Sequence, residues 1–294
     1  MAVRMLVRAD ESGTHDGAEV CAVVGYVASP AQWKMFDTAW RRVLREYGVA
    51  EHGFHGKVFF NRKRIKDQKK NPYLRWSDKR ANDYMEALLT VIASHKITPV
   101  GGGVDIPDFE SFSWGERCAL VGYWKKRGMR KTSAPIPYHL ALRLLLVDAA
   151  DATKEDSELH FLMARQNEFK SRAFEAYTQM KNHIPERRER YMSFGDAEPI
   201  DHPSLQAADL LAGWYAKGWS SARVWKPQTK EEFRRIQRLG RRRLALPYYN
   251  RSAMEELLED VEKQYPGTRL MLRMMKPETG WPFLPPAKSA GWLR

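Results

Sequence analysis

The spacing of apolar and polar positions separates strands from helices along most of the chain. Residues 5–9 are apolar apart from Arg8 and β-compatible, residues 19–28 are Val-rich, and the turn-like Ser12-Gly13-Thr14-His15-Asp16-Gly17 lies between them. This predicts an N-terminal hairpin. Ser29-Pro30 supplies a cap followed by a first-turn proline, and Trp33, Phe36, Trp40, Val43, Leu44 and Tyr47 then recur at helical spacing, which predicts a helix to about Tyr47. Residues 57–75 lose the periodicity and contain Asn71-Pro72, the pattern of a loop, before Ser77 opens a second helix carrying Tyr84, Leu88, Val91 and Ile92. Residues 97–106 read as a strand interrupted by Gly101-Gly102-Gly103, through a bulge or a close backbone approach.

Further on, residues 137–150 are Leu-rich with little room for a wet face, the pattern of a largely buried helix. Residues 159–163 and 190–194 read as strands, with a helix containing Phe169, Phe174, Tyr177 and Met180 between them and another beginning near Pro203. The order predicts an α/β fold, a mixed sheet with helices on its faces. From about Trp219 the pattern turns helical and basic, with helices expected over 231–239 and 252–265 and a Pro-rich tail. The chain is thus expected to divide into a core over 1–218 and a basic helical extension over 219–294.

Composition narrows the function classes. With 43% hydrophobic and 29% charged residues the 294-residue chain is globular rather than disordered. Its longest apolar stretch, residues 20–28, falls far short of the roughly 20 residues that cross a bilayer, and no long apolar signal core precedes Asp10. Neither a membrane partner nor export is expected. Cys21 and Cys118 form no paired spacing, so a thiolate zinc site and a disulfide framework are both unsupported and a cytoplasmic location is the expectation. The net charge of +13 is unevenly spread: residues 57–80 carry ten Lys or Arg against two acids, and residues 221–294 carry sixteen against eight. Two basic blocks suit a protein that neutralises phosphates, with Lys63, Arg64, Lys69, Lys70, Arg241, Arg242 and Arg243 as candidate contacts to RNA or DNA, although solvated basic faces would look the same. Trp76, Trp124, Trp219 and Trp225 lie near basic residues and are candidates for stacking on bases.

Two acidic constellations carry candidate chemistry. Arg8-Ala9-Asp10-Glu11-Ser12-Gly13 places two acids at a strand end, where the backbone behind them is rigid. Alternation sends Asp10 and Glu11 to opposite faces, and Asp10 also reads as an ordinary turn residue. In Ser204-Leu205-Gln206-Ala207-Ala208-Asp209-Leu210-Leu211-Ala212-Gly213, Asp209 shares a helix face with Leu205, Ala212 and Gly213. A carboxylate on such a face needs a metal, a hydrogen bond or a salt bridge. His55 can carry a proton near neutral pH or serve as a structural hydrogen-bonder.

Asp10-Glu11-Ser12-Gly13, Phe54-His55 after the first helix, and Leu205-Gln206-Ala207-Ala208-Asp209-Leu210-Leu211-Ala212 after Ser193-Phe194 together resemble the bacterial and phage family catalogued as domain of unknown function number 3800. The resemblance covers roughly residues 1–217. It implies a ribonuclease-H-like fold in which carboxylates gather around Mg2+ or Mn2+, two ions in the fullest form, to hydrolyse a phosphodiester. Asp10 would be the first-strand ligand and Asp209 the late-helix ligand, with Glu11 and His55 in lesser catalytic roles. The chain departs from the pattern at Ala164, where the strand of residues 160–163 ends without the expected acid. Either another residue such as Glu168 completes the metal site or the site is weakened. A non-catalytic protein that binds nucleic acid or another partner on the same fold is the alternative.

Overall fold

In the computed structural model, residues 2–67, 69–122, 135–165, 173–174, 177–178, 181, 188–220 and 246–276 are described. The elements in order are β1 (Val3–Ser12), β2 (Val20–Ala28), α1 (Pro30–Glu46), α2 (Gly56–Phe60), α3 (Asp78–Ser94), β3 (Thr98–Asp105), α4 (Ile106–Glu110), α5 (Trp114–Leu120), α6 (Pro137–Asp151), β4 (Ser157–Ala164), β5 (Tyr191–Ala197), α7 (Pro203–Ser220), β6 (Tyr248–Tyr249), α8 (Arg251–Gln264) and α9 (Thr268–Met274). The strands form one sheet in the order β5-β4-β1-β2-β3-β6. β2 pairs antiparallel with β1 and β3, whereas β4, β5 and β6 join by parallel pairing. A three-strand meander extended by parallel strands is the mixed α/β sheet that the sequence pattern predicts, and it is consistent with the ribonuclease-H-like fold that the resemblance implies. Among the described residues, no helix is long and apolar enough to cross a membrane.

Local signals set the element boundaries. The Ser29 side chain accepts from the Gln32 amide with Pro30 in the first turn, and Ser77 accepts from the Arg80 amide, so both predicted helices start where a hydroxyl satisfies an otherwise unpaired N–H. Residues 57–75 are not wholly a loop, because α2 forms a short helix there. The segment after it is pinned by the buried Asn71, whose Nδ2 donates to the carbonyls of Arg62 at 2.8 Å and Ile65 at 2.7 Å.

The sheet divides two cores. Val7, Ala9, Cys21 and Val23 point toward α6, α8 and α9, while Ala22, Val24 and Tyr26 point toward α1, α3 and α7. β2 is buried along its whole length, which requires helices on both faces. The C-terminal segment does more than add helices, since β6 extends the sheet beside β3 and Met254, Leu258 and Leu272 enter the α6-side core.

The glycine triplet does not interrupt β3, whose pairing with β2 runs without a register shift. It serves close approach instead. Gly101 has φ +113°, and a Cβ there would lie 2.3 Å from the Val23 carbonyl oxygen, so only glycine fits. Gly101→Ala is expected to destabilise the fold by about 2–3 kcal/mol, read as a lowered urea midpoint with an unchanged slope.

Candidate functional site

Asp10 and Glu11 lie within the last turn of the pleat of β1 rather than beyond it. Asp10 pairs with Val24, which faces α7, and Glu11 pairs with Val23, which faces α6. The two side chains therefore leave on opposite faces, as alternation requires. Both are buried. The Glu11 amide donates to Asp10 Oδ1 at 2.8 Å.

α7 passes across the Asp10 side of the sheet, with Ala207, Leu210, Leu211 and Ala212 packed into that core. Its Asp209 projects where the segment between α1 and α2 arrives. Asp209 Oδ2 accepts from the Gly56 amide at 2.7 Å and contacts His55 Nδ1 at 3.0 Å. Both contacts fall on Oδ2, and among the described residues Oδ1 has no hydrogen bond. Neither Asp10 nor Asp209 forms an ion pair with Lys or Arg among the described residues; the basic partner of Asp209 is His55.

Gln206, one turn before Asp209, explains how residues 53–56 reach it. Its Oε1 accepts from the Phe54 amide at 2.7 Å and from Trp40 Nε1 at 3.0 Å, and its Nε2 donates to the Pro199 carbonyl at 2.9 Å. Gly53, at φ +67°, packs so close to Gln206 that a Cβ would meet Nε2 at 2.6 Å. Sequence reasoning singles out Asp209 and passes over Gln206 as a functional residue. The i, i+3 spacing on one helix face is the signal that ties them. Gln206→Ala leaves two buried donors unpaired and is expected to cost roughly 2–4 kcal/mol. It should also free His55, visible as a fall in the His55 pKa measured by NMR.

The electrostatics mark an acidic site whose basic partner, among the described residues, is His55 rather than Lys or Arg. Burial, the Glu11 charge and the Asp209 charge together push Asp10 well above the usual carboxylate range. Burial likewise lifts Glu11 to about 8. The hydrogen bond to Asp209 raises His55 against the opposing effects of burial and Lys57. A buried acid facing a second acid is an arrangement that a bound cation relieves.

Ala164 lies on the neighbouring strand. Ala9 pairs with Met163, both in the α6-side core, so the next residue, Ala164, falls on the Asp10 side of the sheet. It is buried. A carboxylate at that position would complete a three-acid set. Among the described residues, no three His, Cys, Asp or Glu side chains are grouped closely enough to hold a metal ion. Glu168 and Arg241, Arg242 and Arg243 lie outside the described residues, as do Trp124 and Trp225.

The candidate basic contacts are partly engaged. Lys63 pairs with Asp78 at 2.8 Å and Lys70 with Asp67 at 3.7 Å, while Arg64 and Lys69 are exposed. Two of the tryptophans proposed for base stacking are used within the protein. Trp76 lies under the Arg80 guanidinium at 4.6 Å and packs against Tyr84, and Trp219 stacks on Tyr248 with centroids 3.9 Å apart. Adjacent basic residues in sequence do not report whether a ring is free.

No protein-family profile matches the chain, and no curated protein matches it.

Proposed function

We propose that the protein is a divalent-metal-dependent nuclease on a ribonuclease-H-like fold, similar to the domain of unknown function number 3800 family, with Asp10 and Asp209 as its metal-binding carboxylates. The observation that carries this reading is the pairing of the buried Asp10 with the partly buried Asp209, brought from the first strand and a late helix with His55 beside Asp209 and, among the described residues, no Lys or Arg ion-paired to either. The donor set fits a hard cation, because Mg2+ is commonly held by one or two carboxylates with water and substrate phosphate in its other positions. A bound Mg2+ or Mn2+ would supply charge neutralisation and an activated water at the phosphodiester.

The chain's own residues have distinct parts in this proposal. Asp10, fixed at the strand end by the Glu11 amide, and Asp209, fixed by the Gly56 amide, position the cation. His55 keeps Nδ1 on Asp209, which leaves Nε2 toward solvent to hold or release a proton at the leaving oxygen. Glu11 leaves β1 on the other face of the sheet, where burial raises its carboxyl to about 8. The basic segment with Arg64 and Lys69 lies directly after the residues that touch Asp209, in position to hold the strand's phosphates.

Ala164 favours a second reading, a nucleic-acid- or partner-binding protein that retains the fold with one acid lost. A cleavage assay over single- and double-stranded RNA and DNA, with and without Mg2+ or Mn2+, separates the two. Metal-dependent cleavage supports the nuclease; binding without cleavage at excess Mn2+ supports the binding protein. Ala164→Asp is expected to tighten Mn2+ binding by about tenfold and raise cleavage at low metal, measured at fixed Mg2+ and again at saturating Mn2+. No change at either concentration would remove Ala164 from the site.

A further inference from the structure

A second feature lies on the same side of the sheet, toward the other end of β1. Arg4 and Arg8 of β1, His160 and Leu162 of β4 and Ser193 of β5 line a cleft of about 370 Å³. No acid lines it. Arg8 is the unusual member. Its Nε is buried without a hydrogen-bond partner. Among the described residues, none hydrogen-bonds or ion-pairs with its guanidinium. Asp37 of α1 acts on Arg8 through charge alone, and Asp37 Oδ1 accepts from the Ser204 amide at 3.0 Å. His160 Nδ1 lies 2.8 Å from Ser193 Oγ, and His160 Nε2 is buried and unpartnered.

A partly buried guanidinium without a carboxylate is costly unless an anion completes it. Planar guanidinium donors match the oxygens of a phosphate, and a second arginine, a histidine and a hydroxyl around the same cleft supply further donors. Leu6 and Leu162 add apolar wall beside these groups. Arg8 and Asp10 point to the same side of β1 and are about 7 Å apart along the strand, so adjacent units of one nucleic-acid strand can reach both.

We propose that this cleft is a phosphate-binding site that holds a backbone phosphate of the nucleic-acid strand next to the Asp10–Asp209 centre. The phosphate chemistry stands on the cleft alone, and its assignment to a nucleic-acid strand rests on the nuclease reading.

The test is titration of the full-length, metal-free protein in chelator at low salt, followed by NMR, with inorganic phosphate, a 5′-phosphorylated dinucleotide and the same dinucleotide unphosphorylated. The wild type is expected to bind both phosphorylated probes, and the unphosphorylated dinucleotide at least about tenfold more weakly. Arg8→Gln should weaken phosphate binding by about tenfold or more. The exposed Arg4→Gln and Ser193→Ala, which leave the core untouched, should each weaken it by a smaller factor. Absence of phosphate binding in the wild type, or equal binding by all three variants, overturns the site. Binding of inorganic phosphate with no preference for the phosphorylated dinucleotide overturns its assignment to a nucleic-acid strand. Because these readings need no metal, a protein that passes them yet cleaves nothing with Mn2+ keeps the phosphate site and loses the nuclease reading.

Discussion

Asp209→Asn is expected to lower metal-dependent cleavage by more than about 100-fold while the protein remains folded. Asparagine keeps an oxygen that can accept from the Gly56 amide, so α7 and the segment before α2 should stay joined. The carboxylate charge is lost, and with it the partner that raises the His55 pKa. Loss of a metal-ligating oxygen should exceed the 10- to 100-fold effects typical of residues that merely orient ligands. Because His55 and the metal site lose their common anchor together, the defect should persist in kcat at saturating Mn2+. Cleavage within tenfold of wild type, with an unchanged thermal midpoint, would show that Asp209 is structural.

Asp10→Asn should have the opposite effect on stability, and the effect should depend on pH. Asp10 is raised well above its ordinary range and Glu11 is held at about 8. From about pH 4 to 8 the folded protein therefore binds protons that the unfolded chain has released. Stability contributed by such groups is complete below the unfolded carboxylate range and is lost as pH rises through the folded values. In chelator, the wild-type thermal midpoint should fall from pH 5 to pH 9. Asparagine cannot ionise and still offers an oxygen to the Glu11 amide, so it removes part of this loss. At pH 9 Asp10→Asn is expected to be more stable than wild type by roughly 1–3 kcal/mol, a rise in Tm on the order of 3–8 °C, with little difference at pH 5. Mn2+ should raise the wild-type midpoint most at high pH and should have little effect on the variant. A variant less stable than wild type at pH 9 would assign Asp10 a structural role.

The parts of the fold legible in the sequence are those set by local patterning. The Val-rich β2, the Ser29 and Ser77 caps and the Leu-rich α6 each have boundaries dictated by nearby residues. Residues 57–75 hid α2, because Gly56 to Phe60 is too short for a period to register. The glycine triplet suggested an interruption, since its reason lies in residues that only the sheet brings near, the Val23 carbonyl above all. At the site, Asp10 and Asp209 stood out as acids in apolar settings. Gln206 did not, because its partners Trp40 and Phe54 are more than 150 residues away in sequence. Arg8 was equally silent, as one basic residue among many until the structure showed it, among the described residues, with no acid bonded to its guanidinium.

Direct titration of Mn2+ into metal-free wild type, Asp10→Asn and Asp209→Asn, read by isothermal calorimetry and by the electron paramagnetic resonance of free Mn2+, tests the metal centre most directly. The wild type is predicted to bind saturably and each variant to bind more than about 100-fold more weakly. No saturable binding by the wild type, or equal binding by all three proteins, would contradict it.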